Sequence, residues 1–146
     1  MMINFTLNSA GSEISGFELG NIDICIDDVE ITSRNKFPSQ AMMIFVSITD
    51  LLDCIRFLIE NKKQRITFNA TDSSFSLNFK KNGKLINIEN NNKKCVANLY
   101  DFSKVLYESA AMFSSAYLNK IKDVSVFSDL ENSLKDFEFT LKKYYR

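Results

Sequence analysis

Histidine is missing from this chain altogether. A serine or cysteine nucleophile draws its proton-accepting partner from histidine more often than from any other residue, so the common hydrolytic triads are excluded. The same absence, with no Cys-x-x-Cys pair and cysteines 29 and 41 residues apart, removes the usual structural zinc sites. Proline occurs once and glycine four times, so elements should be long and seldom interrupted. Gly11, Gly16, Gly20 and Gly83 fit neither the phosphate-loop nor the dinucleotide spacing. The longest apolar run, Ala41 to Val46, has six residues, against about 20 for a membrane-crossing helix. The start, Met1-Met2-Ile3-Asn4-Phe5, lacks the basic region and apolar stretch of a signal peptide. Cys25, Cys54 and Cys95 are an odd number, expected to be core thiols in a reducing cytoplasm.

What is present is a globular composition, 45% hydrophobic and 25% charged, with 13 Phe and 5 Tyr to fill a core. At 146 residues the expectation is one domain, 1–146. The charge is laid out unevenly. Residues 1–60 carry nine acids and three bases, a net of −6. Residues 61–122 carry eleven bases and four acids, a net of +7, and the last 24 residues come to −1, so the sum is zero. An acidic half and a basic half offer two fields to partners.

The apolar periodicity predicts strands first. Ile3, Phe5 and Leu7 alternate with polar residues, Asn8 to Gly16 reads as a turn, and Phe17 and Leu19 open a second strand. Ile22, Ile24 and Ile26 give the clearest period of two, ending at an Asp27-Asp28 turn before a short strand at Val29 and Ile31. Thr32 to Gln40 is a loop, and Ala41 to Val46 fits either a strand or a buried helix. Ile48, Leu51, Leu52, Ile55, Leu58 and Ile59 then fall at steps of three and four, one stripe of a helix, with Asp50, Asp53, Arg56 and Glu60 opposite. Strands are predicted around Ile66–Phe68, Phe75–Phe79, Leu85–Ile88 and Cys95–Ala97, with Asn82-Gly83 as a hairpin turn. A second helix runs from about Leu99 to Asn119, capped by Asn98. A third is expected from Ser128, where Ser128-x-x-Glu131 matches a capping box, with Leu130, Leu134, Phe137 and Leu141 as its stripe. The class is α+β: an antiparallel sheet meander with about three helices packed on one face.

Four constellations carry chemistry. Asp23, Asp27, Asp28 and Glu30 have the oxygens for a hard cation but lack the glycine and closing glutamate of an EF-hand loop, so no metal is expected. Asp50 and Asp53 stand at i, i+3 on one helix face, a spacing that helix surfaces carry routinely, and no catalytic residue is assigned. Lys80, Lys81 and Lys84 surround the hairpin and Lys93-Lys94 follow, a basic rim beside Phe75, Phe79 and Tyr100. The rim suits phosphates, but the aromatics alternate as core residues do and the pI of about 6.3 argues against nucleic acid. Asp27, Asp28 and Glu30 cluster at a hairpin tip. They serve either as solubilising edge charges or as an acidic knob that docks a basic partner.

The stretch Pro38-Ser39-Gln40-Ala41-Met42-Met43-Ile44-Phe45-Val46-Ser47-Ile48, leading into Asp50-Leu51-Leu52-Asp53-Cys54-Ile55, resembles segments of small bacterial immunity proteins. So does Asp72-Ser73-Ser74-Phe75-Ser76 followed by a lysine-rich strand. Those proteins belong to contact-dependent growth inhibition and related polymorphic toxin systems. The resemblance spans about the middle half of the chain. It implies a cytoplasmic, non-enzymatic α+β protein, monomer or homodimer, that binds and neutralises one cognate toxin domain without a cofactor. The alternative is another bacterial interaction protein, such as a secretion chaperone. For the toxin-binding reading Asp27, Asp28 and Glu30 are the candidate partner-binding residues, whereas a chaperone dimer would present apolar grooves to its client.

Overall fold

A computed structural model describes residues 1–8, 11 and 13–145. Eight strands and three long helices follow one another as β1 (Met2–Leu7), β2 (Leu19–Ile26), β3 (Val29–Thr32), β4 (Met42–Met43), α1 (Ile44–Ile59), β5 (Arg65–Asn69), β6 (Ser76–Asn82), β7 (Leu85–Asn90), β8 (Lys93–Asn98), α2 (Leu99–Tyr117) and α3 (Val124–Tyr144). A single 3-10 turn, Leu118–Lys120, joins the last two helices. The fold is α+β, with every strand pairing antiparallel. The strands form two four-stranded sheets rather than one meander. In the first, β2 pairs with β1 on one side and with β3 and β4 on the other. The second is a meander in the order β5-β6-β7-β8.

The alternating isoleucines of β2 do what their period demands. Ile22, Ile24 and Ile26 are buried, and Asp23 and Cys25 face outward. Phe17 is not in the strand; it is 46% exposed, and β2 begins at Leu19. One reason for the exact start is Gly20. A Cβ there would collide with the Thr6 carbonyl oxygen and lie 2.8 Å from Ile44 Cβ, so only glycine lets β1 and the head of α1 close on this strand. Of the predicted Asn8–Gly16 turn, Ser9, Ala10 and Ser12 lie outside the described residues. Within the rest, Ile14 is buried and bridges Ile121 in parallel, a packing contact that the surrounding polar residues concealed.

The ambiguous Ala41–Val46 stretch divides at residue 43, two residues of strand and then helix. The α1 head has no side-chain cap; Ile44 N–H donates to the Glu18 carbonyl instead, at 3.0 Å. The α1 stripe is buried in full, with Ile48, Leu51, Leu52, Ile55 and Leu58 at 0% exposure. Asn98 caps α2 as expected, accepting from Asp101 N–H at 3.1 Å. Helix α3 starts four residues before the predicted Ser128. Asp123 is its cap, accepting from Val126 N–H at 2.9 Å, and Glu131 pairs with Lys135 rather than closing a capping box. An aspartate cap competes well with serine, and it lets Val126 bury in the first turn. The buried side of α3 is Val126, Leu130, Ser133, Phe137 and Thr140, a stripe whose two hydroxyl residues hid it from an apolar count.

Buried side chains from both sheets and all three helices form one cluster. It includes Phe45, Phe68, Phe75, Phe79, Phe102 and Phe137, none more than 2% exposed. Phe79 meets Phe102 at 6.1 Å between ring centres, and Phe45 meets Phe113 at 5.7 Å, joining sheet, α1 and α2. No helix among the described residues is long and apolar enough to cross a membrane.

Candidate partner-binding surfaces

The acidic tip is built by the tightest connection available. Ile26 pairs with Val29, leaving Asp27-Asp28 as a two-residue turn with Asp27 at φ 52. Aspartate tolerates that left-handed backbone better than most residues. Asp27, Asp28 and Glu30 are all exposed, and none of their carboxylates forms an ion pair or hydrogen bond within the described residues. The structure therefore brings these three charges together at a tight hairpin. It does not bring Asp23 with them. Asp23 sits lower on β2, held by Arg34 Nε at 2.9 Å and by the Thr32 hydroxyl at 2.5 Å. No group of three acidic, cysteine or histidine side chains placed to hold a metal occurs among the described residues.

The acidic turn lies against the start of β8. Lys93 Nζ donates to the Glu30 carbonyl at 2.6 Å. The Cys95 thiol is pushed up, first by burial and then by the Asp27 charge. The acidic knob and Lys93 of the basic rim are thus neighbours on one edge, two signs side by side.

Strand alternation splits the rest of the basic rim. Lys80 stands on the outer face of the second sheet, directly across from Arg65, and Lys94 pairs with Glu89 at 4.0 Å on the same face. Two like charges opposite one another repel, so this face offers a positive field to its surroundings. Arg65, Thr67, Asn78, Lys80, Asn87 and Val96 line a shallow depression of about 600 Å³ there. Phe75 and Phe79 are buried, at 1% and 2%, and cannot stack on a ligand. Lys81 turns the other way. Its ammonium donates to the Leu58 carbonyl at 3.1 Å and to Asn61 Oδ1 at 2.5 Å, and burial lowers its pKa. With Lys84 and Tyr100 it borders a separate cleft of about 710 Å³.

Asp50 and Asp53 do not form a matched pair. Asp53 accepts from the Ser133 hydroxyl at 2.5 Å and forms an ion pair with Arg56 at 3.5 Å, while Asp50 accepts from the Thr71 hydroxyl at 3.4 Å. Partial burial pushes Asp50 up, Thr71 opposes this, and the Asp53 and Asp129 charges add to it. The chain Ser133–Asp53–Arg56–Glu60–Thr140 is a polar seam between α1 and α3. Sequence reasoning placed the α1 half of this seam on a free helix face. The missing signal was the hydroxyl pair Ser133 and Thr140, seven residues apart on α3. No family model, curated protein or solved structure matches this chain.

Proposed function

We propose that this chain is a non-enzymatic immunity protein that binds one cognate bacterial toxin domain in the cytoplasm and neutralises it. The observation that carries this function is the acidic turn. Three carboxylates with no ion-pair partner among the described residues, on and just after a two-residue hairpin turn, form a negative knob at a sheet edge beside Lys93. Such a knob steers a basic partner and repels acidic ones before any close packing is made. Toxins that act on nucleic acids present basic surfaces to phosphates, and a negative knob competes for the same surface. The resemblance of the Pro38–Ile55 stretch to immunity proteins points the same way.

A second reading, a secretion chaperone, draws on the exposed side chains of Met112 at 77% and Phe139 at 67%, apolar surface of the kind an unfolded client would cover. One experiment separates the two. The chain is co-expressed with the toxin domain encoded beside it, and the purified complex is compared with that of Asp27→Asn/Asp28→Lys, asparagine keeping the left-handed backbone at φ 52. An immunity protein restores growth and holds a folded toxin; a chaperone holds its client unfolded, with no rescue. For the double variant, affinity should fall about tenfold or more, with the larger loss at low salt and an unchanged melting curve. Equal affinity at low and high salt would remove the knob from the interface.

A further inference from the structure

The geometry points to a second binding site, a cleft that takes a small anion carrying a flat ring, at the end of the second sheet remote from the acidic turn. The cleft encloses about 710 Å³, within the range of roughly 300–1,000 Å³ typical of small-molecule sites. Four separate segments wall it: the end of α1 at Ile59 and Asn61, the β6–β7 hairpin at Lys81 to Lys84, the start of α2 at Leu99 to Asp101, and Tyr144-Tyr145 at the end of α3.

Among the described residues the cation in this cleft has no counter-ion. Lys81 Nζ has two neutral oxygen acceptors, Leu58 O and Asn61 Oδ1, and no ion-pair partner among the described residues. An ammonium carries three protons, so one is left for a ligand. Lys84, exposed at the mouth, adds a second positive charge, and Lys143 lies 5.5 Å from the ring centre of Tyr144. Asp101 also lines the cleft and offsets one of these charges, leaving the pocket net positive. Partial burial holds the Lys81 pKa below its ordinary value because no anion offsets the desolvation. An entering anion supplies that offset.

The apolar part selects the shape. Tyr100 and Tyr145 meet at 4.9 Å between centres and tilt by 54°, and Tyr144 and Leu99 continue the wall. Aromatic and aliphatic surface beside two ammonium groups suits a planar ring joined to a phosphate or a carboxylate. At the hairpin, Gly83 has φ 62 and nothing within 4 Å of the position a Cβ would take, so the mouth there is open. The acidic turn lies toward the other end of β7, about 17 Å away along a six-residue strand. The cleft does not depend on the toxin-binding function, and either can fail alone.

The test is a titration of the full chain, followed by amide NMR shifts at Gly83, Lys84 and Asn98–Asp101. AMP and phenylacetate serve as ring-bearing anions, inorganic phosphate as an anion without a ring, and adenosine as a ring without charge. At least one ring-bearing anion should bind about tenfold more tightly than both phosphate and adenosine, with shifts confined to the cleft. AMP alone binding would assign a phosphate ligand, and phenylacetate alone a carboxylate. Lys81→Met should weaken that binding about tenfold. Because Lys81 also satisfies Leu58 O, Lys84→Gln at the exposed mouth is the companion variant, expected to lose a few-fold in affinity with an unchanged fold. No cleft shifts at millimolar AMP and phenylacetate would overturn the site. So would equal binding of phosphate or adenosine, or a folded Lys81→Met that binds as well as the parent.

Discussion

Individual residues at the α1–α3 seam carry an electrostatic load that the sequence pattern conceals. Glu60 is only 15% exposed at its side chain. Burial pushes its carboxyl up, but hydrogen bonds from Thr140 and Lys62, with the Arg56 charge, outweigh this and leave it below the ordinary carboxylate range. A carboxyl lowered in the folded state stabilises above its unfolded pKa and loses that contribution as pH falls through the folded value. Glu60→Gln should therefore cost about 1–2 kcal/mol at pH 7, and the gap should narrow as the pH falls below the ordinary carboxylate range in denaturant melts. A constant gap across that range would mean the cost is steric. Cys54 sits close by, its thiol pushed up to about 11 by burial and by the Asp50 and Asp53 charges. At pH 8 a thiol with that pKa is about one part in a thousand thiolate. Native-state alkylation at pH 8, followed by mass spectrometry, should label Cys54 about a hundredfold more slowly than in the unfolded chain.

At the scale of elements, α1 decides more than any other. Leu51 is at 0% exposure in the middle of its stripe, and Leu51→Ala should cost about 2–5 kcal/mol, read from urea melts. A midpoint equal to the parent's would mean that neighbours refill the space. Asp123→Ala should cost about 1 kcal/mol through the α3 cap, whereas Ser128→Ala, inside the helix, should change little. That contrast shows where the sequence was legible and where it was not. The periods of Ile22–Ile26 and of Ile48–Ile59 were read correctly because one face is wholly apolar in each. The α3 start was misplaced because Ser128-x-x-Glu131 satisfies a local rule, while Asp123 is favoured by the burial of Val126. The acidic tip was legible because the period of two stops at Asp27-Asp28. The tyrosine–lysine cleft was not, because residues 59, 81, 99 and 145 meet only once the chain is folded.

For the whole molecule the uneven charge becomes spatial. The acidic residues 1–60 build the first sheet and α1, and the basic residues 61–122 build the second sheet and α2. With a net charge of zero, nothing of one sign holds copies apart, while opposite ends attract. Sedimentation at about 20 mM salt should show weak self-association that disappears above about 300 mM, as the screening length shortens. Association that persists at high salt would point to an apolar contact. Cys25, Cys54 and Cys95 are all free, so denaturing mass spectrometry without reductant should count three thiols. One further consequence follows from the position of α1, which packs against β1, β2, β4, β5, α2 and α3. Neither sheet can open without uncovering it, so its amides have no private route to solvent. Hydrogen exchange at Leu51–Ile55 should proceed only through complete unfolding, and its rate should report the stability of the entire chain.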